Sequence, residues 1–200
     1  MYGKNKKLKE DSVKYFSIDI EEDFIQKDVK INNIEIEDGT YGKQLKITVS
    51  KGDATAYNWF CSEPEGDKEL PNGKILTLNK QIETVEKIVL HIGHRYLGKD
   101  FVVPEAKSFD DLINQLISLT KSKWGTTLLN AKFEFNKKGF AGLSKYVPFI
   151  EIPGEEYLTI SLKDKVSLKN KLNTSETLPD ADLLNTENGV SEENSKDLPF

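Results

Sequence analysis

Residues 41–61 read "YGKQLKITVSKGDATAYNWFC", and two structural signals meet in this stretch. From Tyr41 to Gly52 apolar and polar residues alternate. Leu45, Ile47 and Val49 fall on one side, and Gln44, Lys46, Thr48 and Ser50 on the other. A period of two sends successive side chains to opposite faces of a strand, so the stretch predicts a half-buried strand. Lys51-Gly52-Asp53 then gives a tight hairpin signal, and Ala54–Cys61 follows as the partner strand. Tyr57 and Trp59 stand two apart on it and share a face. The pattern alone leaves both orientations open: the rings outward, or inward with Thr55, leaving Asn58 and Phe60 outside.

On either side of this hairpin the chain keeps the same character. Ser12–Ile20 and Val29–Asp38 read as extended. Ser62–Lys74 is a loop rich in Pro, Gly and acids. A helix is predicted next, with Ile82, Val85, Val89, Ile92 and Tyr96 at spacings of three and four and a stop at Gly98. A second helix opens on Ser108 as N-cap, with Asp110 and Asp111 in its first turn and Leu112, Ile113, Leu116 and Leu119 on one face. Thr127–Gly139, Ser144–Ile152 and Glu155–Asp164 return to strand character. The expected fold is therefore mainly β with inserted helices (α+β). About five strands, with helices between the third and fourth, fit a small closed barrel of the oligonucleotide-binding (OB) type. The competing arrangement is an α+β sandwich with no binding face. The chain divides into a basic N-terminal arm over 1–11, a barrel domain over 12–168 with its helical insertion at about 80–124, and an acidic tail over 169–200.

Charge sharpens that division. The chain has 200 residues and a formal net charge of −5. Between Asn173 and Phe200, seven acids stand against Lys196 alone, so this segment carries −6 and the remainder +1. The segment is rich in Asn, Ser, Thr and Glu and has no sustained hydrophobic period, so it is expected to be disordered. A flexible chain of that length spans about 30 Å root-mean-square.

The body interleaves lysines with aromatic rings, the combination that single-stranded DNA requires for its phosphates and base faces. The candidate nucleic-acid-binding residues are Tyr41, Lys43 and Lys46 on the first hairpin and Tyr57 and Trp59 on the next strand. A third group clusters at Lys132, Lys137, Lys138, Phe140, Lys145 and Tyr146. Phe109, Phe133, Phe135 and Phe149 read as core. Arg95 is the one arginine. Base-specific readout favours bidentate arginine, so lysine-dominated charge suits sequence-neutral contact.

Other chemistries are poorly represented. His91 and His94 are the two histidines, at i and i+3 on the first helix with no cysteine beside them, a weak metal pattern. His91 reads as partly packed and His94 as exposed. Cys61 has no activating base in view and reads as a buried strand residue. No phosphate loop of the G-x-x-x-x-G-K type is present. No catalytic residue, metal or cofactor is expected. A single cysteine excludes an intrachain disulfide and fits a reducing cytoplasm. Neither a secretory signal nor an apolar run of membrane-spanning length is expected.

Two resemblances bear on function. The last residues, Asp197, Leu198, Pro199 and Phe200, match position by position the tip of bacterial single-stranded DNA-binding proteins. There an acidic tail ends in Asp-(Ile/Leu)-Pro-Phe; here Ser195 and Lys196 interrupt the usual run of acids. "YGKQLKITVSK" and "FNKKGFAGLSKYVPFIE" resemble stretches of phage-encoded OB-fold proteins from replication modules. The resemblance implies a non-enzymatic protein that coats single-stranded DNA in replication, recombination or repair, in the host cytoplasm if viral. It also implies recruitment of replication and recombination proteins through Asp197–Phe200: a ring for an apolar pocket, a terminal carboxylate for a basic residue, and Pro199 stiffening the approach. The alternative function is an OB-fold protein-interaction module whose tip copies that of a host single-stranded DNA-binding protein.

Overall fold

The computed structural model describes residues 24–39, 42–135 and 141–159. The expected strand at Ser12–Ile20, the N-terminal arm and the acidic tail lie outside these residues. Three long strands form a meander: β1 (Ile25–Gly39), β2 (Gly42–Lys51) and β3 (Ala54–Ser62). A small hairpin, β4 (Lys68–Glu69) and β5 (Ile75–Leu76), leads into the helices α1 (Leu78–Leu97) and α2 (Phe109–Thr120). The chain returns through β6 (Leu129–Phe135), β7 (Ala141–Leu143) and β8 (Ile150–Glu151). The strand order β3-β2-β1-β6-β7, with β8 also on β6, makes a mostly β, nearly closed five-stranded barrel with two helices. That architecture is compatible with an OB fold.

The alternation in β2 decides the packing. Leu45, Ile47 and Val49 are fully buried, while Gln44, Lys46, Thr48 and Ser50 lie on the other side, partly exposed. β1 serves two neighbours. Residues 30–39 pair with β2, and residues 25–29 with β6. Each pairing carries one register shift, at Ile31/Asn33 and at Gln26/Val29, and Asp28 adopts a positive φ of 60°. Bulges of this kind bend and twist a strand, which lets β1 curl from one side of the barrel to the other.

Closure falls between β3 and β7, which run in the same direction. Asn58 Nδ2 donates to the Leu143 carbonyl at 2.7 Å. Gly142 allows the approach, since a Cβ there would lie 3.1 Å from the Tyr57 carbonyl oxygen. The interior is filled by Ile31, Ile34, Leu129, Phe133, Leu143 and Phe149, all essentially inaccessible.

The helices cover the barrel and obey their sequence signals at both ends. Thr77 caps α1, and Gly98 ends it with φ 99°. Ser108 caps α2, its Oγ accepting from Asp111 N at 3.1 Å. Two positions differ from the expected apolar faces. Ile82 is exposed and Gln81 is buried instead, its amide donating to the carbonyls of Gly66 and Leu76 at 2.5 and 3.2 Å. The β4–β5 hairpin, absent from the sequence reading of Ser62–Lys74, covers that turn and requires a donor there. Leu119 is likewise exposed. Thr120 is buried in its place and accepts from Trp124 Nε1 at 3.1 Å.

The two last expected strands are also corrected. Ser144–Ile152 is ladder-paired only at Ile150 and Glu151; Lys145–Val147 is an exposed loop, and Pro148 has no N–H to offer a ladder. Over Glu155–Thr159, the described part of the last one, the ladder is replaced by a side chain. Glu151 accepts from the backbone N–H groups of Tyr157 and Leu158, each at 2.9 Å. No helix among the described residues is long and apolar enough to cross a membrane.

Candidate nucleic-acid interface

Closure of the barrel settles which way β3 faces. Ala56 and Phe60 turn inward, Phe60 packing on the Phe149 ring at 4.6 Å, and Asn58 turns to β7. By strand alternation Thr55, Tyr57 and Trp59 occupy the outer face, where Tyr57 and Trp59 are 39% and 37% exposed. Their rings meet edge to face, with centroids 5.1 Å apart and planes at 85°. Lys46 is directly opposite Trp59, and Thr48 opposite Tyr57. The Lys46 ammonium lies 5.0 Å from the Tyr57 ring centroid and 5.9 Å from that of Trp59, within cation–π range of both.

Two carboxylates complete this face, and the sequence reading did not single them out. Glu35 is opposite Lys46 across the β1–β2 ladder. Lys46 Nζ lies 3.4 Å from Glu35 Oε1 and 3.3 Å from Glu37 Oε1. Trp59 Nε1 donates to Glu37 Oε2 at 2.6 Å. The hydrogen bond from Trp59, followed by that from Lys46, lowers the Glu37 pKa below the ordinary carboxylate value. Partial burial works against the Lys46 charge, but hydrogen bonding to Glu37 and the charges of Glu37 and Glu35 outweigh it and raise its pKa. The signal for these acids lies in "NIEIED", where Ile34 is buried and Glu35 and Glu37 alternate with it and with Ile36.

The remaining candidates do not all join this face. Lys43 is in phase with Leu45 and Ile47, on the opposite side of β2 from Lys46, and it pairs with Asp110 in the first turn of α2. That hydrogen bond raises the Lys43 pKa. Lys132 is buried, 5% exposed, because both faces of β6 are covered around Ala131, Lys132 and Phe133. Its ammonium reaches the Thr159 carbonyl at 3.5 Å. The sequence suggests a groove lysine at that position; the structure places Lys132 in the covered part of β6. Lys145 and Tyr146 are exposed on the loop between β7 and β8, Tyr146 at 51%. Tyr41, Lys137, Lys138 and Phe140 lie outside the described residues, as does the Asp197–Phe200 tip. Tyr41 falls in the β1–β2 connection, and Lys137, Lys138 and Phe140 in the β6–β7 connection.

Other chemistry-bearing groups are structural. His91 is buried, and its Nε2 accepts from the backbone N–H groups of Phe149 and Ile150, each at 3.2 Å. Burial, reinforced by the charges of Arg95 and His94, lowers its pKa to about 3. His94, expected to be exposed, is half-buried and meets the Phe101 carbonyl at 3.2 Å. Burial pushes the Cys61 thiol up to about 12, far from a reactive thiolate. Among the described residues no group of three or more His, Cys, Asp or Glu is arranged to hold a metal ion. A groove of about 770 Å³ runs between α1 and the segment leading into α2, lined by Leu78, Ile82, Val103 and Phe109 with Glu63, Glu86 and Glu105 among its acids.

No protein-family model, no curated protein and no solved structure matches the chain.

Proposed function

We propose that this chain is an OB-fold protein that binds single-stranded DNA without sequence preference, with the strand crossing the outer face of β2 and β3. The observation that carries this reading is the exposed Tyr57–Trp59 pair with the Lys46 ammonium beside both rings. Aromatic faces next to a cation form a stacking platform that accepts any base. In an OB-type barrel the second and third strands and the loops after the first and fourth strands form the usual oligonucleotide surface. By chain order, Tyr41 belongs to the first of those loops and Lys137, Lys138 and Phe140 to the second.

In this proposal the protein covers unwound DNA during replication or recombination and recruits partner proteins through Asp197, Leu198, Pro199 and Phe200. The resemblance of those four residues to the bacterial tip is the support for the second role. The direct test is a fluorescence titration with oligo-dT, comparing the wild type with Trp59→Ala. Loss of a stacking ring costs roughly 1–3 kcal/mol of binding. A Trp59→Ala protein that keeps both its fold and its full affinity contradicts the reading.

One observation favours a second reading, an interaction module for another protein. Lys46 is already neutralised by Glu35 and Glu37, so the face is amphipathic more than basic. Exposed Tyr and Trp are also enriched at protein interfaces. An oligo-dT titration that stays flat at low salt selects this alternative.

A further inference from the structure

We infer that Glu37 is a built-in competitor for the incoming strand and sets the affinity and salt response of the β2–β3 face. The inference rests on the single-stranded DNA reading above and concerns how that site is regulated.

Glu37 holds two groups that a nucleic acid would use. Its Oε1 lies 3.3 Å from Lys46 Nζ, the cation flanking both rings, and its Oε2 accepts from Trp59 Nε1 at 2.6 Å. The side chain is about two-fifths exposed, so it lies at the surface that a ligand approaches. A phosphate oxygen reaching Lys46 therefore exchanges one anion for another. Glu35, 3.4 Å from the same ammonium, adds to the effect. The net gain from such an exchange is smaller than from a lysine waiting in water. Fewer condensed counterions are released per contact, because Lys46 starts out neutralised. Glu37 touches the indole at its Nε1 edge and leaves the ring plane uncovered by that contact.

Glu37→Gln separates charge from hydrogen bonding. The amide oxygen can still accept from Trp59 Nε1, so the ring keeps its partner while the negative charge is lost. Removing an exposed partner of an ion pair is worth about a two- to fivefold change. Freeing one lysine for a phosphate steepens the log–log salt dependence on single strands by up to about 0.7. Glu83→Gln is the control. It changes net charge equally, but on α1, where Glu83 pairs with Lys87.

The experiment is an oligo-dT titration of the full chain between roughly 50 and 200 mM salt, the range over which phosphate contacts are resolved. It uses the wild type, Glu37→Gln and Glu83→Gln, with thermal unfolding of each as a check on the fold. The expected result is tighter binding and a steeper salt slope for Glu37→Gln alone. Unchanged or weaker binding by a folded Glu37→Gln protein overturns the inference and makes Glu37 a positioning residue for Lys46 and Trp59. An equal gain in Glu83→Gln also overturns it, because the effect is then one of net charge. If none of the three binds oligo-dT, both this inference and the proposed function fail; binding by the wild type with no response at Glu37 sinks the inference alone.

Discussion

Asn58 on β3 donates from Nδ2 to the Leu143 carbonyl on β7 at 2.7 Å, bridging the two strands whose approach closes the barrel. Closure there is made by a side chain. The same bond fixes the alternation of β3, since turning Asn58 to the seam turns Tyr57 and Trp59 outward. Asn58→Ala leaves the Leu143 carbonyl without this donor, a cost of about 1–3 kcal/mol. Urea denaturation should show that loss, and hydrogen exchange should show faster opening of the β6–β7 hairpin than of β1–β2.

His91 makes stability depend on pH. Its folded pKa is lowered to about 3, against an unfolded value near 6.5. The unfolded state therefore binds the proton first as pH falls. The stability contributed by neutral His91 is complete above about pH 6.5 and declines toward pH 3, by up to about 1.4 kcal/mol per pH unit. Denaturation midpoints measured between pH 7 and 4.5 should fall accordingly. His91→Gln should flatten that part of the curve while lowering stability at neutral pH, because the amide does not replace the ring that packs against Phe149 at 4.7 Å.

Gly93 marks a close approach between α1 and the segment that follows it. A Cβ at this position would lie 2.1 Å from the Phe101 ring. Gly93→Ala should destabilise the fold by about 1–3 kcal/mol despite the better helix propensity of alanine. Phe101→Leu should relieve part of that cost, giving a non-additive double-mutant cycle by chemical denaturation. Additive effects would mean that the ring is not the obstacle.

Phe200→Ala is expected to leave the thermal midpoint unchanged and to remove most of the capture of replication partners in a pull-down. Deleting Asp197–Phe200 should do the same, and oligo-dT affinity should be equal or slightly higher at low salt, because the acidic segment that competes with phosphate loses Asp197. Equal capture by the variant and the wild type would mean that the tip does not recruit these partners.

Much of the barrel was legible because its signals are local. The alternation at Leu45, Ile47 and Val49, the Ser108 cap and the Gly98 stop each act within a few residues, and each took the structure expected. The misreadings come from partners that no periodicity marks. Ile82 lost its buried place to Gln81 because Gly66, before the β4–β5 hairpin, and Leu76, within it, present carbonyls to that turn. Glu155–Thr159 failed to form a strand because Glu151 satisfies two of its N–H groups. Lys132 looked like a surface lysine until both faces of β6 were covered. At the candidate face, spacing put Tyr57 and Trp59 on one side, and the burial of Ala56, the packing of Phe60 on Phe149 and the Asn58 bond chose which side. Glu35 and Glu37 come together with Lys46 through strand register, which composition does not carry.

We propose that the β2–β3 face takes single-stranded DNA by stacking and phosphate contact together. The most direct measurement is the affinity for oligo-dT as a function of salt, beside a duplex of equal length. With about three to five phosphate contacts the log–log slope should lie near −2 to −3.5, and the duplex should bind much more weakly because its bases cannot stack on Tyr57 and Trp59. A flat salt response, or equal affinity for the duplex, would contradict it.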